Sequence, residues 1–455
     1  MFKYQRSDLK DVLELALPAV GENILYMMVW VFDTMMVGRY GGNVAVSSVG
    51  LGSEFMYGFS NIFIAVGIGV GITSLVARRV GANLKSAAEE YLTVGFIIGG
   101  ILSFIGFLIF FLGSSKLLSI TGADDSVIAM GTPYMRIASI GIFFNMLMIL
   151  LNSSLRGYGN TKTPLVASIL INIVNITLDY ALIFGNLGLP ELGVRGAAIA
   201  TTIAQFLGFL FILNYVIHKS PIKPRIKYVK KIKLYNFRDL LRLSIPSSMQ
   251  EAAFTTSRII SNLMVISMGT VAFAANQITT TIESISFMPG WGFAVAATTL
   301  VGHKVGEGNL EKAEKYAKLS MILGTSFMIM SSLLFLIVPN GLIKLFISPN
   351  EVDVINLGTL CLMIAAIEQP FMAISMIVGG AFKGLGNTKT PFKVSIISSW
   401  IIRLPLMYIV IYKLHLNVTW VWVVTSVQWI FDGSIIYYFY KKNLNKNLVK
   451  QNKVI

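Results

Sequence analysis

Asp33 and Asp179 are carboxylates set in the middle of long apolar runs. An ionisable group there costs roughly 2.5–3.5 kcal/mol on membrane-insertion scales, so each one asks for a reason. Asp179 has polar company: Ser168, Asn172, Asn175 and Asp179 are spaced four, three and four. Such spacing puts all four on one narrow helix face. A polar stripe through lipid must face protein or water. Two carboxyls in one dehydrated pocket can share a single proton. The plainer alternative is that Asn175 and Asp179 only staple the fifth helix to the first.

The elements that carry these residues are membrane helices. The chain has 455 residues, 55% of them hydrophobic and 13% charged, with mean hydropathy +0.71. A soluble fold could not hide that much apolar surface, whereas lipid can solvate it. Runs long enough to span fall near 12–38, 48–78, 90–113, 130–155, 163–185, 195–217, 240–268, 274–302, 314–338, 356–382, 390–412 and 418–440. The first run follows a short polar start with no small-residue cleavage site, so it is expected to act as its own insertion signal. The single Cys excludes a disulfide framework, and the three scattered His offer no metal-ligand spacing.

A net charge of +15 raises the question of a nucleic-acid partner. The basic residues lie in short loops between apolar runs, which is a topological pattern, and no nucleic acid is expected. With the N-terminus inside, roughly 29 Lys and Arg fall in inner segments and about six in outer ones. Both termini are therefore expected in the cytoplasm, with the protein in the cell membrane.

The sequence repeats itself. Residues 156–164 read RGYGNTKTP and residues 383–391 read KGLGNTKTP, an offset of 227. Leu17-Pro18 pairs with Ile245-Pro246, and Val80-Gly81 with Val305-Gly306. The expected fold is all-α: twelve transmembrane helices in two parallel-repeat six-helix bundles, with a pseudo-two-fold axis along the membrane normal. The first lobe is 1–218, a basic cytoplasmic linker is 219–238, the second lobe is 239–442, and a basic cytoplasmic tail is 443–455. Such duplication suits a transporter, because rocking one half against the other exposes a ligand to either side. The GNTKTP turns lack the phosphate-binding P-loop pattern, and no nucleophile–base pair or cofactor loop is evident, so no enzyme is expected.

The repeat also isolates the acids. At the matching offsets Asn175 and Asp179 fall on Ile402 and Leu406, and Asp33 falls on Ser261. A purely architectural need should recur in both halves, so the first half is expected to hold the ion site.

Several pieces together resemble the multidrug and toxic compound extrusion family of the flippase superfamily. They are Asp33-Thr34-Met35-Met36-Val37-Gly38-Arg39, Val80-Gly81-Ala82-Asn83, Leu155 to Pro164, Gly193 to Thr201, Phe287-Met288-Pro289-Gly290, Val301-Gly302 and Gly384-Leu385-Gly386-Asn387-Thr388. The match is nearer the DinF-like, archaeal branch than the NorM branch. The resemblance implies export of organic, often cationic compounds in exchange for H⁺ or Na⁺, without a cofactor. It also implies a cation site at Asp33, Asn175, Asp179 and Thr201, with Asn172 on the same face. Another branch uses an acid on the seventh helix and an Asp on the tenth; here the latter position falls near Met372, with Glu368 one turn away.

Candidates for the substrate cavity are Glu22, Tyr26, Glu54, Tyr57, Glu251, Glu283, Met288, Trp291 and Glu368. The glutamates would meet a cationic drug, or pair internally with Arg258, Gln250 or Gln277. Aromatic faces attract cations and Met adapts to varied shapes, though such residues also serve plain packing. Pro289-Gly290 is expected to break the eighth helix. The expected partners are small organic molecules and membrane lipid, and the expected state is a monomer. A lipid-linked oligosaccharide flippase is the rival reading; it would need a more basic cavity than Arg258 and Arg403 provide.

Overall fold

The computed structural model describes residues 5–229 and 233–452, with side chains as far as 442. Lys230 and Lys231 of the linker, and the basic side chains of the tail from 443 onward, lie outside the described residues. The described chain is helical: α1 (Arg6–Phe59), a π-helical stretch (Ser60–Gly69), α2 (Val70–Gly81), α3 (Lys85–Ile120), α4 (Asp125–Tyr158), α5 (Lys162–Phe184), α6 (Val194–His218), the short α7 (Ile226–Val229), α8 (Leu234–Ile266), α9 (Thr270–Gly306), α10 (Leu310–Ile337), α11 (Pro339–Lys344), α12 (Val352–Gly384), α13 (Lys389–Ile396), α14 (Leu404–Tyr408) and α15 (Val418–Asn452). Two further π stretches, Ile397–Arg403 and Ile409–Lys413, flank α14.

Among the described residues nine helical segments are long and apolar enough to cross a membrane. The first, Arg6–Gly81, has 76 residues. At 1.5 Å per residue that is several times the hydrocarbon thickness, so it must fold back. It does so at Gly42, whose backbone (φ 59°, ψ −148°) only glycine adopts readily. The more polar α8 and α15, of 33 and 35 residues, complete the twelve crossings expected from the sequence. The expected interruption at Pro289 is absent: α9 runs as one helix from Thr270 to Gly306. Packing on either side holds it, with Gly290 tight against Met328 and Met376.

The chain forms two packing units, 21–248 and 1–20 with 249–455. This division differs from the one read off the repeat. The boundaries fall just after Pro18 in α1 and Pro246 in α8, so each of those helices changes unit shortly past its proline. The 21–248 unit is built around Val37, Met56, Ile64, Ile72, Leu92 and Met146. The core of the other unit joins Val12, Leu15 and Ala16 to Phe293, Met328, Ile377 and Phe382.

The repeat is visible in atomic contacts. Thr73 donates to the Ser153 carbonyl (3.0 Å), and a Cβ on Gly157 would lie 2.8 Å from the Thr73 carbonyl oxygen. In the second half Thr298 donates to the Gly380 carbonyl (2.9 Å), and a Cβ on Gly384 would lie 2.6 Å from the Thr298 carbonyl oxygen. The two GNTKTP segments make the same turn: Asn160 Oδ1 accepts from the Thr163 backbone amide (3.0 Å), and Asn387 Oδ1 accepts from the Thr390 backbone amide (3.2 Å).

Candidate ion site and its surroundings

Four of the residues singled out in the sequence come together inside the 21–248 unit. Asp33 (α1), Asn175 and Asp179 (α5) and Thr201 (α6) are all buried, Asn175 and Asp179 completely. Asn175 Nδ2 donates to Thr201 Oγ1 (3.3 Å), and Thr201 Oγ1 donates to Asp33 Oδ2 (3.3 Å). The Asp33 and Asp179 carboxyls lie within hydrogen-bonding reach of each other. Asn172 lies one turn away and donates to the carbonyls of Leu25 (3.1 Å) and Ser168 (2.8 Å), which ties α5 to α1.

Helix geometry explains the assembly. Asn172, Asn175 and Asp179 share a face at three- and four-residue spacing, and α5 packs along α6. A Cβ on Gly196 would lie 2.5 Å from the Leu182 carbonyl oxygen, so only glycine lets α6 come this near α5. That approach brings Thr201 within reach of Asn175.

The site has a shortage of donors. Asp33 Oδ1, both carboxylate oxygens of Asp179, Asn175 Oδ1 and Asn172 Oδ1 are buried without a hydrogen-bond partner among the described residues. Buried oxygens of this kind cost free energy unless something positive meets them. A proton between the carboxyls or a hard cation among the oxygens would satisfy them. Among the described residues no three His, Cys, Asp or Glu cluster as a metal site. A recess of about 380 Å³ is lined by Met36, Arg39, Tyr180, Phe184 and Asn186, including near chain neighbours of both acids.

The remaining candidates fall into several groups apart from this site. Glu22 is clamped by Arg156 at 2.6 Å. Glu251 lies electrostatically close to Lys383, the repeat counterpart of Arg156. Tyr26 is half-exposed and stands edge-on to Tyr57 at 5.9 Å, and the Tyr57 hydroxyl accepts from Gln205 (2.8 Å). Glu54 is exposed, and Met288 and Trp291 are half-buried on α9. Glu283 accepts from Gln369 (3.3 Å), and Glu368 is fully buried. Sequence reasoning missed Arg156, Gln205, Gln369 and Ser426 as partners. The repeat held a clue to the first: a basic residue opens each GNTKTP block, and each half carries a Glu four or five residues after its proline.

Comparison with known proteins follows the same two halves. The MatE family model matches residues 18–181 and 246–409. A probable multidrug resistance protein NorM of Thermotoga maritima is 32% identical, over 95% of this chain and 92% of that protein. A protein of the same name from Agrobacterium fabrum is 27% identical, over 91% of this chain and 90% of its own. Among solved structures, the outward-facing conformation of a multidrug resistance MATE family transporter superposes with TM-score 0.88 at 21% identity, covering 98% of this chain and 99% of that one. A family model that spans most of the chain in two blocks, and a relative aligned almost end to end, lead to one conclusion: this protein belongs to the MatE family of multidrug transporters.

Proposed function

We propose that the protein exports organic, often cationic drugs in exchange for H⁺ or Na⁺ by alternating access, and that Asp33, Asn175, Asp179 and Thr201 hold the coupling ion. The observation that carries this reading is the pair of facing carboxyls, three of whose four oxygens are buried without a donor among the described residues. Asn172 supports the site by fixing α5 against α1. An ion bound there would replace the missing donors and shift the balance between conformations that differ in how well they hold it. The location of both acids in the first half supports a DinF-like coupling site. The remaining candidates, Glu22, Tyr26, Glu54, Tyr57, Glu251, Glu283, Met288, Trp291 and Glu368, offer the carboxylates, aromatic faces and adaptable Met that an organic cation would use.

The repeat halves 1–218 and 239–442 serve as the two moving lobes in this reading. The protein works as a monomer in the cell membrane, with both termini in the cytoplasm, as the bias of basic residues favours. A lipid-linked oligosaccharide flippase is disfavoured by the intramembrane acids and by the multidrug resistance names of the relatives.

The test is reconstitution in liposomes with a proton or a sodium gradient imposed separately. Asp33→Asn and Asp179→Asn should each abolish ion-driven drug flux in protein that still folds. Wild-type flux in either variant removes the mechanism.

A further inference from the structure

The basic linker between α6 and α8 is bolted to α3. Arg225 Nε pairs with Glu89 at 2.8 Å, and the Tyr228 hydroxyl donates to the same carboxylate (3.5 Å). The Arg225 amide donates to Thr93 Oγ1 (3.1 Å), and α7 packs on α3. Lys233 Nζ lies 3.6 Å from Glu90, to which Asn236 Nδ2 also donates (2.9 Å). The Tyr91 hydroxyl donates to Asp239 Oδ2 (2.9 Å). Both acids of α3, and the one at the start of α8, are thus already engaged.

What the mount leaves outside is both basic and apolar. Ile226 and Leu234 are each 80% exposed, more than any other large apolar side chain among the described residues, and Val229 and Tyr235 are exposed as well. Lys219, Lys227, Arg238 and Arg242 are exposed and make no ion pair among the described residues. The helix that corresponds to α3 in the second half has no such mount. At the offset that pairs Val80 with Val305, Glu90 falls on Lys315 and Thr93 on Lys318, and Lys315 is taken by Asp8 (2.6 Å).

We propose that the linker is an interfacial plate that docks on anionic phospholipid, with Ile226, Val229 and Leu234 set into the boundary between headgroups and acyl chains and Lys227 and Arg238 on lipid phosphates. Exposed aliphatic side chains are driven out of water, and unpaired cations are drawn to a surface that carries anionic lipid. Other partners satisfy only one of the two features. A nucleic acid would meet the cations and leave Ile226 and Leu234 in water. A second copy of the chain would bring the same uncompensated positive charge against itself. A leaflet answers both, and it is at hand, because the linker joins two membrane helices. Arg225 and Lys233 also hold Glu89 and Glu90, so the seating of the linker on lipid is coupled to the position of the start of α3. The choice of the cytoplasmic leaflet rests on the topology proposed above; the lipid chemistry is independent of the ion site.

The test uses the full-length protein, one copy per nanodisc, with an environment-sensitive fluorophore at Ile226→Cys or, separately, Leu234→Cys; Cys361 is buried and stays unlabelled. The nanodiscs contain phosphatidylcholine alone or with a rising fraction of phosphatidylglycerol. Phosphatidylglycerol should shield both probes from acrylamide in the water and expose them to a quencher carried near the lipid headgroup. Each basic side chain at an anionic surface contributes roughly a fivefold factor in partition. Lys227→Gln with Arg238→Gln should therefore raise the phosphatidylglycerol fraction needed for half-maximal shielding severalfold. Lys116→Gln, at the far end of α3, should leave it unchanged. Added salt screens the same charges in the parent protein and should release the probes, which keeps the test independent of how the Gln variants fold. Probes equally open to water in both lipids would overturn the proposal. So would shielding that is the same without phosphatidylglycerol, that ignores both the Gln pair and salt, or that appears only when two copies share a nanodisc. Labelling of the Ile226→Cys variant in intact cells by a membrane-impermeant maleimide would instead overturn the cytoplasmic placement alone, and no step reads drug flux.

Discussion

Gly196→Ala tests whether the ion site depends on how closely α5 and α6 approach. The added Cβ would stand 2.5 Å from the Leu182 carbonyl oxygen, whereas ordinary contact begins near 3.4 Å. All the atoms it meets are backbone atoms of Leu182 and Ile183, so the helices must separate by about 0.9 Å. The Asn175–Thr201 hydrogen bond, now 3.3 Å, would stretch to about 4.2 Å, past the limit at which such a bond has force. The overpacking costs about 1–3 kcal/mol and the lost bond about 1 more. Moving one oxygen of the site should weaken coupling-ion affinity on the order of tenfold or more, by analogy with disturbed supporting shells at metal sites. The assay is drug flux in liposomes against the concentration of the coupling ion, with thermal unfolding in detergent alongside. Gly50→Ala is the control: its Cβ meets nothing within 4 Å on an exposed helical position, so it should leave flux unchanged and stabilise the helix by roughly 0.5–1 kcal/mol. A Gly196→Ala protein with the wild-type ion dependence and melting temperature would refute the reasoning.

Thr201→Val keeps the side-chain volume and removes the bridge between Asn175 and Asp33; half-maximal flux should need at least roughly tenfold more ion, and Thr201→Ser should restore it. Arg156→Gln leaves the Glu22 carboxylate buried against a neutral partner and should cost about 2 kcal/mol in thermal unfolding, with most of the loss recovered in the Glu22→Gln, Arg156→Gln double variant. Asp432→Leu orphans the hydroxyls of Ser375 and Ser398, which both donate to it at 2.6 Å, and should destabilise the protein by about 2–4 kcal/mol; a smaller change than from a surface substitution would argue that water replaces the carboxylate.

The spans were legible because they rest on composition, a local property, while the duplication and the family resemblance rest on short motifs that recur or match in order along the chain. The polar face of α5 was also legible locally: three- and four-residue spacing fixes a face whatever the helix packs against. Partners across helices were not. Nothing near Glu22 in sequence points to Arg156, and Gln369 was passed over in favour of Gln250 and Gln277 because those lay nearer to Glu251 and Glu283 along the chain. Pro289 misled in a different way. The rule that proline breaks a helix describes an isolated helix in water, and here α9 is held by neighbours that the sequence does not name. The π stretches around α14 were equally hidden, since one extra residue in a turn leaves no mark on hydropathy.

The change of unit just past Pro18 and Pro246 bears on how the duplicated gene product can be divided. Cutting between residues 219 and 233 looks natural, because the basic linker lies there. Yet residues 6–20 would leave with a fragment whose core they do not serve, and residues 234–248 likewise. Each product would carry a greasy stub with nothing to rest on and would lack the segment that seals its own interior. Separately made fragments should therefore be degraded, and made together they should rescue one another. An ancestor of single length would have met the same demand by pairing with a second copy of itself, each lending its leading arm to the other.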